Sequence, residues 1–463
     1  MDNTKLKRLR RQIEMFRRQF AQSTDNTLSD VLPAREIEQV IIAQCGEYRE
    51  RLYTPLHTLR LFIGQVLSEN RACQDVVGRR LSERIAAGET ACSLNTGPYC
   101  KARQRMPAKL PYRLLEAVGK RLEKRAPVAW RWRGRVVKLF DGTTVSMPDT
   151  VSNQTAYPQS TEQKPGLGFP VARIGALIGL STGAVLGYEV AACAGKGTGE
   201  QTMLRHLLNL LAPGEVLLAD ALFATWWLVA ACQTRGVDVV MAQQGRRITD
   251  FTQGQALGKK DHIVEWIRPK PPSWMSKSEY HALPECLQMR EAEIDGRVLI
   301  TTLLDADVTT PRELSRLYAM RWNIEVDFRT IKATLSMDIL RCKSKEMIEK
   351  EIAVNLLAYN LVRWTLATSA ILTEILPRAL SFSGALCVLG AFADHLRQCA
   401  GKRMSFMIAT VLASIASLKL PHRPNRIEPR AKKRRPKPLP LLTIPRILAR
   451  EAILSQRMLK VVP

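Results

Sequence analysis

A chain of 463 residues, 46% hydrophobic and 24% charged, has material for two to four domains and a sizeable core, which excludes a disordered or fibrous protein. Lys and Arg number 69 against 43 Asp and Glu, a formal net charge of +26, so the partner to expect is a polyanion, nucleic acid ahead of a ribosomal or anionic-membrane surface. Ten cysteines without a C-x-x-C pair argue against zinc-finger and redox motifs and suit free thiols in a reducing cytosol, and no apolar run approaches a secretory signal or a bilayer span.

Residues 1–20 set seven Lys and Arg around Leu6, Leu9, Ile13 and Phe16, the pattern of a basic amphipathic helix that either meets DNA or faces solvent. From about 31 to 130 apolar residues recur every three or four positions, as in V-I-I-A-Q-C and L-R-L-F-I-G-Q-V-L. Residues 1–130 therefore read as an all-helical N-terminal domain suited to holding DNA. The period changes at 131. W-R-G-R-V-V-K-L-F-D, V-A-R-I-G-A-L-I-G-L, G-A-V-L-G-Y-E-V-A-A and G-E-V-L-L-A-D are short, branched and bounded by turn residues, which is strand behaviour. Ser-Thr-Gly between the second and third predicts a hairpin. A helix after Glu200, a strand ending at Asp220, a helix through Trp226 and the strand V-D-V-V-M-A-Q complete a mixed α/β sheet.

Residues 245–308 interrupt that pattern as a β-rich insertion, with K-D-H-I-V-E-W-I-R and R-V-L-I-T-T-L-L as strands around a Pro-rich stretch. Pro311 opens a helical region to about 370, closing a domain that spans 131–370. Residues 371–463 read as C-terminal helices with a basic linker at 421–440, suited to phosphates or to dimerisation.

The sharpest pattern is Y-A-M-R-W-N-I-E-V-D-F-R-T-I-K, residues 318–332. On a regular helix of about 100° per residue, Tyr318, Arg321, Glu325, Arg329 and Lys332 share an arc of roughly 80°. Ile324, Phe328, Ile331 and Leu335 take another face. One carboxylate thus sits in a stripe of phosphate-binding side chains, unless the stripe is simply a salt-bridged surface. Asp220 ends an apolar strand just before a helix, where α/β sheets bind ligands, although an N-cap would also suit Asp there. Asp141 lies at or within a strand, although Asp-Gly also signals a hairpin turn. A-G-K-G-T-G-E at 194–200 lacks Walker spacing and reads as a glycine-rich turn.

Taken together, these residues resemble the DDE transposases of bacterial insertion sequences, specifically the IS-4 group with its Y-x2-R-x3-E-x6-K motif. Tyr318, Arg321, Glu325 and Lys332 fill that motif. F-D-G-T-T resembles the family's first Asp and L-A-D-A-L-F its second, with Ala221 where many relatives have Arg or Gly. The resemblance covers roughly residues 35–370. It implies an α/β, ribonuclease-H-like catalytic domain with a β-strand insertion, preceded by an all-helical DNA-binding domain and followed by helices and a basic tail. It further implies that Asp141, Asp220 and Glu325 are the catalytic acids holding two Mg²⁺ ions, which Mn²⁺ can replace. The implied partners are double-stranded DNA, as inverted-repeat ends and target, and a second copy of the chain in a synaptic complex. The implied location is the cytoplasm, on the nucleoid. Tyr318, Arg321 and Lys332 would grip DNA, with Arg329 beside them. Trp322 either stacks on an unpaired base or packs in the core, and Trp266 and Trp274 are further stacking candidates. A nuclease of the same fold, or a silent DNA-binding remnant of a transposase, would share the scaffold.

Overall fold

The computed structural model describes residues 31–48, 52–68, 70–399, 401–421 and 442–459; the basic stretch 1–20 and all but the first residue of the linker 421–440 lie outside them. Five helices come first: α1 (Ala34–Cys45), α2 (Pro55–Leu67), α3 (Cys73–Ala86), α4 (Gly97–Arg105) and α5 (Lys109–Arg125). Strand β1 (Val137–Ser146), the short helix α6 (Val151–Ala156), β2 (Val171–Gly179) and β3 (Val185–Ala192) follow. Next come α7 (Glu200–Leu207), β4 (Val216–Ala219), α8 (Trp226–Gln233) and β5 (Asp238–Ala242). The expected insertion holds β6 (Gln255–Gly258), β7 (Asp261–Ile267), α9 (Lys277–Ala282), β8 (Cys286–Ile294) and β9 (Arg297–Thr301). The remainder is helical: α10 (Pro311–Ala319), α11 (Asn323–Arg329), α12 (Lys345–Thr373), α13 (Phe382–Gln398), α14 (Gly401–Ser417) and α15 (Arg446–Leu459).

The strands form one nine-stranded sheet in the order β3-β2-β1-β4-β5-β9-β8-β7-β6. β1, β2 and β3 are antiparallel, β4 and β5 run parallel to β1, and the insertion strands continue the sheet antiparallel from β5. Strand alternation sorts the core side chains between two apolar layers. Leu139, Ile174, Leu218 and Val240 face one layer, with α2, α5 and α12, whereas Phe140, Leu177, Leu217 and Val239 face the other, with α7 and α8. Both faces are covered, so the central strands read as nearly continuous apolar runs. Helix α12 is 29 residues long and buried around most of its circumference, packing against α5, α2 and α14. Helices from both ends of the chain therefore share one core with the sheet.

The Ser181–Gly183 turn joins β2 to β3 as its composition predicts. Gly183 has φ +73°, and a Cβ there would lie 2.7 Å from the Arg363 guanidinium carbon. Gly183→Ala should destabilise the protein by more than about 1 kcal/mol, read as a lower denaturant midpoint, since both the backbone and the packing resist it.

Helix from Pro311 to 370 is not what forms. Pro311 does occupy the first turn of α10, behind a Thr310–Glu313 capping box. But residues 320–322 tighten to a 3-10 turn, 330–334 widen to a π turn, and 335–344 leave the helix altogether. The reason lies on the sheet. β4 pairs with β1 only as far as Leu139, leaving the outer half of that edge of β1 open. The segment around Ile339 fills part of it, with Ser146 N–H donating to Asp338 O at 3.0 Å and Leu340 N–H to Ser146 O at 2.9 Å. A backbone edge seeking partners outcompetes local helical preference.

Candidate functional site at the open edge of β1

Between the last β4 pairing and the Ile339 bridge, β1 exposes a short stretch beginning at Asp141. That carboxylate is not at a hairpin turn: Asp141–Gly142 sits mid-strand, opposite Ala176 and Gly175 of β2. Glu200, at the start of α7, lies across Gly142; a Cβ there would come within 2.3 Å of Glu200 Oε1, so a larger residue would displace the Glu200 side chain.

The β1–β4 register pairs Val137 with Val216, an offset of 79 residues, and Asp220 follows Asp141 by the same 79. The ladder itself stops at Leu139–Leu218 and β4 at Ala219, so Asp220 stands just past the strand end, where the continued register brings it near Asp141 and its charge raises the Asp141 carboxyl. By alternation the two acids face the same layer as Leu139 and Leu218, the layer that receives Ile324 and Phe328 of α11. One oxygen of each carboxylate is fixed by backbone: Asp141 Oδ1 accepts from Gly142 N–H at 2.7 Å, and Asp220 Oδ1 from Leu222 N–H at 2.8 Å. The N-cap reading of Asp220 is therefore also true, since it caps the 3-10 turn 221–223.

Arg321 joins this pair to the third acid. Its Nη1 lies 3.4 Å from Asp141 Oδ2 and its Nη2 donates to Glu325 Oε1 at 3.0 Å. Lys332 reaches the same strand, donating to Thr143 Oγ1 at 3.4 Å. Tyr318 is 8% exposed, and burial pushes its hydroxyl up while Arg321 and Arg297 pull it down. Arg329 is exposed on the outer side of α11. Trp322 is 53% exposed, so core packing is not its role. Trp266 corrects the expectation of a stacking residue: it is 4% exposed, and its indole N–H donates to Glu291 Oε1 at 2.7 Å. As an indole on an inward position of β7, it is core. Trp274 stays accessible at 48%, under the Arg205 guanidinium 3.8 Å away.

The sequence reading missed Glu200, Thr143 and Arg173, which pairs with Glu200 at 3.4 Å. Only the Thr of F-D-G-T-T carried a signal, two residues from Asp141 and so on its face of the strand.

Burial raises the Asp141 carboxyl to about 6, with Asp220 and Glu200 adding to the rise, and Gly142 N–H and Arg321 opposing it. The site concentrates negative charge where an anion is costly. Among the described residues no three His, Cys, Asp or Glu side chains stand close enough to enclose an ion, Arg321 lying between Asp141 and Glu325. The donor chemistry nonetheless suits a hard divalent cation: three carboxylates, two of them held by backbone hydrogen bonds, with no sulfur or imidazole among them. Divalent-metal affinity should fall as pH drops below about 6, because a proton on Asp141 then competes. Titration of Mn²⁺ binding between pH 5 and 8 checks this, a flat profile being the contrary result.

Among the described residues no helix is long and apolar enough to cross a membrane. The family described as Transposase DDE domain matches residues 132–361, a span containing Asp141, Asp220 and Glu325. Transposase InsG for insertion sequence element IS4 of Escherichia coli (strain K12) is 26% identical over 343 residues, covering 73% of this chain and 76% of that protein. The transposase for insertion sequence element IS421 of Escherichia coli is 34% identical over 85 residues, 18% of this chain and 23% of its own length. The solved piggyBac transposase synaptic complex with hairpin DNA covers 92% of this chain and 88% of that one, at 10% identity and a TM-score of 0.39, too distant a likeness to bear on the fold. With the DDE domain matched across the whole site and similarity to the IS4 transposase along most of its length, this chain is an IS4-family DDE transposase.

Proposed function

We propose that the chain performs cut-and-paste DNA transposition, cleaving DNA at element ends and joining the freed 3′ ends to target DNA, with Asp141, Asp220 and Glu325 as its catalytic acids. The observation that supports this best is the gathering of Asp220, just past the end of β4, near Asp141 of β1, with Arg321 joining Asp141 to Glu325. The strand order β3-β2-β1-β4-β5 supports a ribonuclease-H-like platform, extended here by the insertion strands. Asp141, Asp220 and Glu325 would hold two Mg²⁺ ions, which supply activation of the attacking oxygen and charge relief at the leaving oxygen.

The chain's own residues do the rest. Arg321 has a planar fork able to grip a phosphate with two parallel hydrogen bonds, and Lys332 offers a point charge beside Thr143. Tyr318, buried against Arg321, holds the inner wall of the cleft. Arg329 extends the basic surface outward, and the exposed Trp322 ring is placed to stack on a base displaced near the cut. The helices over 34–125 and the basic segments at 1–20 and 421–440 would track the DNA backbone, with a homodimer pairing two ends in the cytoplasm, on the nucleoid.

The test is to incubate the full chain with Mg²⁺ or Mn²⁺ and DNA bearing the gene's own flanking ends. Metal-dependent cutting and joined products are expected. Cutting without joining would make the chain a nuclease, and end binding without cleavage in either metal would leave a DNA-binding remnant.

A further inference from the structure

Glu325 and Asp327 are two residues apart on α11, and they live in opposite surroundings. The Glu325 side chain is 37% exposed in the cleft, whereas Asp327 is 0% exposed on the reverse face. A carboxylate that deep is expensive unless it is well partnered, and Asp327 is. Its Oδ1 accepts from Tyr359 Oη at 3.0 Å, Arg363 Nη2 at 2.6 Å and Arg378 Nη1 at 3.0 Å, and its Oδ2 accepts from Arg378 Nη2 at 2.8 Å. Arg363 Nε donates in turn to Tyr359 Oη at 2.8 Å.

The far ends of this cluster are rigid parts of the fold. Tyr359 and Arg363 belong to the buried helix α12. Arg378 also donates to the carbonyls of Gly179 and Leu180 at the end of β2. Gly179 pairs with Lys138 of β1, three residues before Asp141. The Glu325 helix is therefore tied to the Asp141 strand twice: across the cleft through Arg321, and behind it through Asp327, Arg378 and β2. The second tie matters because α11 has irregular turns on both sides, a 3-10 turn at 320–322 and a π turn at 330–334. Regular helix on either side does not fix its register. An apolar face alone can slide or rotate at modest cost, but a buried carboxylate accepting four hydrogen bonds from three side chains admits one position.

We infer that Asp327, held by Arg378 and Arg363, is a positioning residue that sets the location of Glu325 against Asp141 and Asp220. The inference rests on the reading of Glu325 as the third acid. It predicts that loosening the cluster weakens the hold on divalent metal more than it weakens the fold.

The experiment compares the full chain with Asp327→Asn, Arg378→Lys and Glu325→Gln, measuring direct Mn²⁺ binding, the Mn²⁺ concentration for half-maximal end cleavage, and thermal unfolding without metal. Arg378 reaches the surface at 15% side-chain exposure, so Arg378→Lys carries the test should Asp327→Asn fail to fold. For Arg378→Lys, Mn²⁺ binding should weaken at least fivefold. Half-maximal cleavage should move to correspondingly higher Mn²⁺, with the rate largely recovered at saturation. Glu325→Gln should bind weakly and stay inactive at any metal concentration. A lowered unfolding temperature with an unchanged Mn²⁺ isotherm and metal dependence would overturn the inference and leave the cluster a fold element only. Wild-type binding and cleavage in Glu325→Gln would instead remove the reading of the site on which it rests.

Discussion

Asp141→Asn should abolish end cleavage and joining, by on the order of 10³-fold or more, while making the metal-free protein more stable. The loss follows from the proposed role of Asp141, because an amide supplies one neutral oxygen where that role needs an anionic ligand. The gain follows from the carboxyl's raised position, about 6, caused first by burial. Unfolded, an Asp titrates near 4, so between these values the folded state holds the proton more tightly. Stability from this group is fully present below about pH 4 and is lost as pH rises through about 6. At neutral pH the native chain carries that cost, of order 1–2 kcal/mol after allowing for partial solvent screening. Asn does not, and its one carbonyl oxygen can still accept from Gly142 N–H, although its amide NH2 then faces the Arg321 guanidinium. The check is paired: cleavage on end-bearing DNA, and denaturant melts at pH 5 and pH 7.5. A variant equally stable at both pH values relative to wild type would contradict the electrostatic account, and retained cleavage would contradict the assignment of Asp141. The same loss of activity is expected of Asp220→Asn.

The largest structural effect is expected at the pair Arg290 and Asp261. Arg290 is 0% exposed, and it grips Asp261 through Nε to Oδ1 at 2.8 Å and Nη2 to Oδ2 at 2.5 Å. Its Nη1 donates to Thr309 O at 2.6 Å, immediately before the cap of α10. One guanidinium thus fastens β7 and β8 of the insertion to the helix that leads into Arg321 and Glu325. Asp261→Ala should destabilise the protein by about 3–5 kcal/mol, because it strands a buried cation. Asp261→Ala combined with Arg290→Met should be markedly less destabilised than Asp261→Ala alone, since no unpaired charge remains. Chemical denaturation of the wild type and the two variants checks the order. Equal losses in single and double variants would mean that packing, not charge, carries the effect. Partial loosening of the insertion alone would appear as an early transition, because a chain of this size need not unfold in one step.

Much of this architecture is written locally. Apolar spacing of three and four in 34–125 suffices for helices, and branched runs bounded by glycine suffice for β1 to β5. Thr310, Pro311 and Glu313 specify a helix start by themselves, through a capping box and a proline that has no hydrogen bond to lose. Asp141, Asp220 and Glu325 are each ambiguous by residue type and spacing alone, as a turn, an N-cap and a salt-bridged face; only the family resemblance joins them with Arg321 and Lys332 into one candidate site. What the sequence could not carry depends on partners far along the chain. The break at 335–344 exists because β4 leaves the edge of β1 open. Trp266 is core because β7 joins the sheet with that position inward. Asp327 carries no local signal and gains its role only when Tyr359, Arg363 and Arg378 are brought around it, and Glu200 reads as a helix start until α7 is laid across Gly142. Sequence by itself determined which segments become helix or strand and which residue types can do the chemistry, since propensity and donor type are local properties. Tertiary structure alone decided register, burial and the placement of charge against charge, since those depend on distances between residues that the chain order leaves far apart.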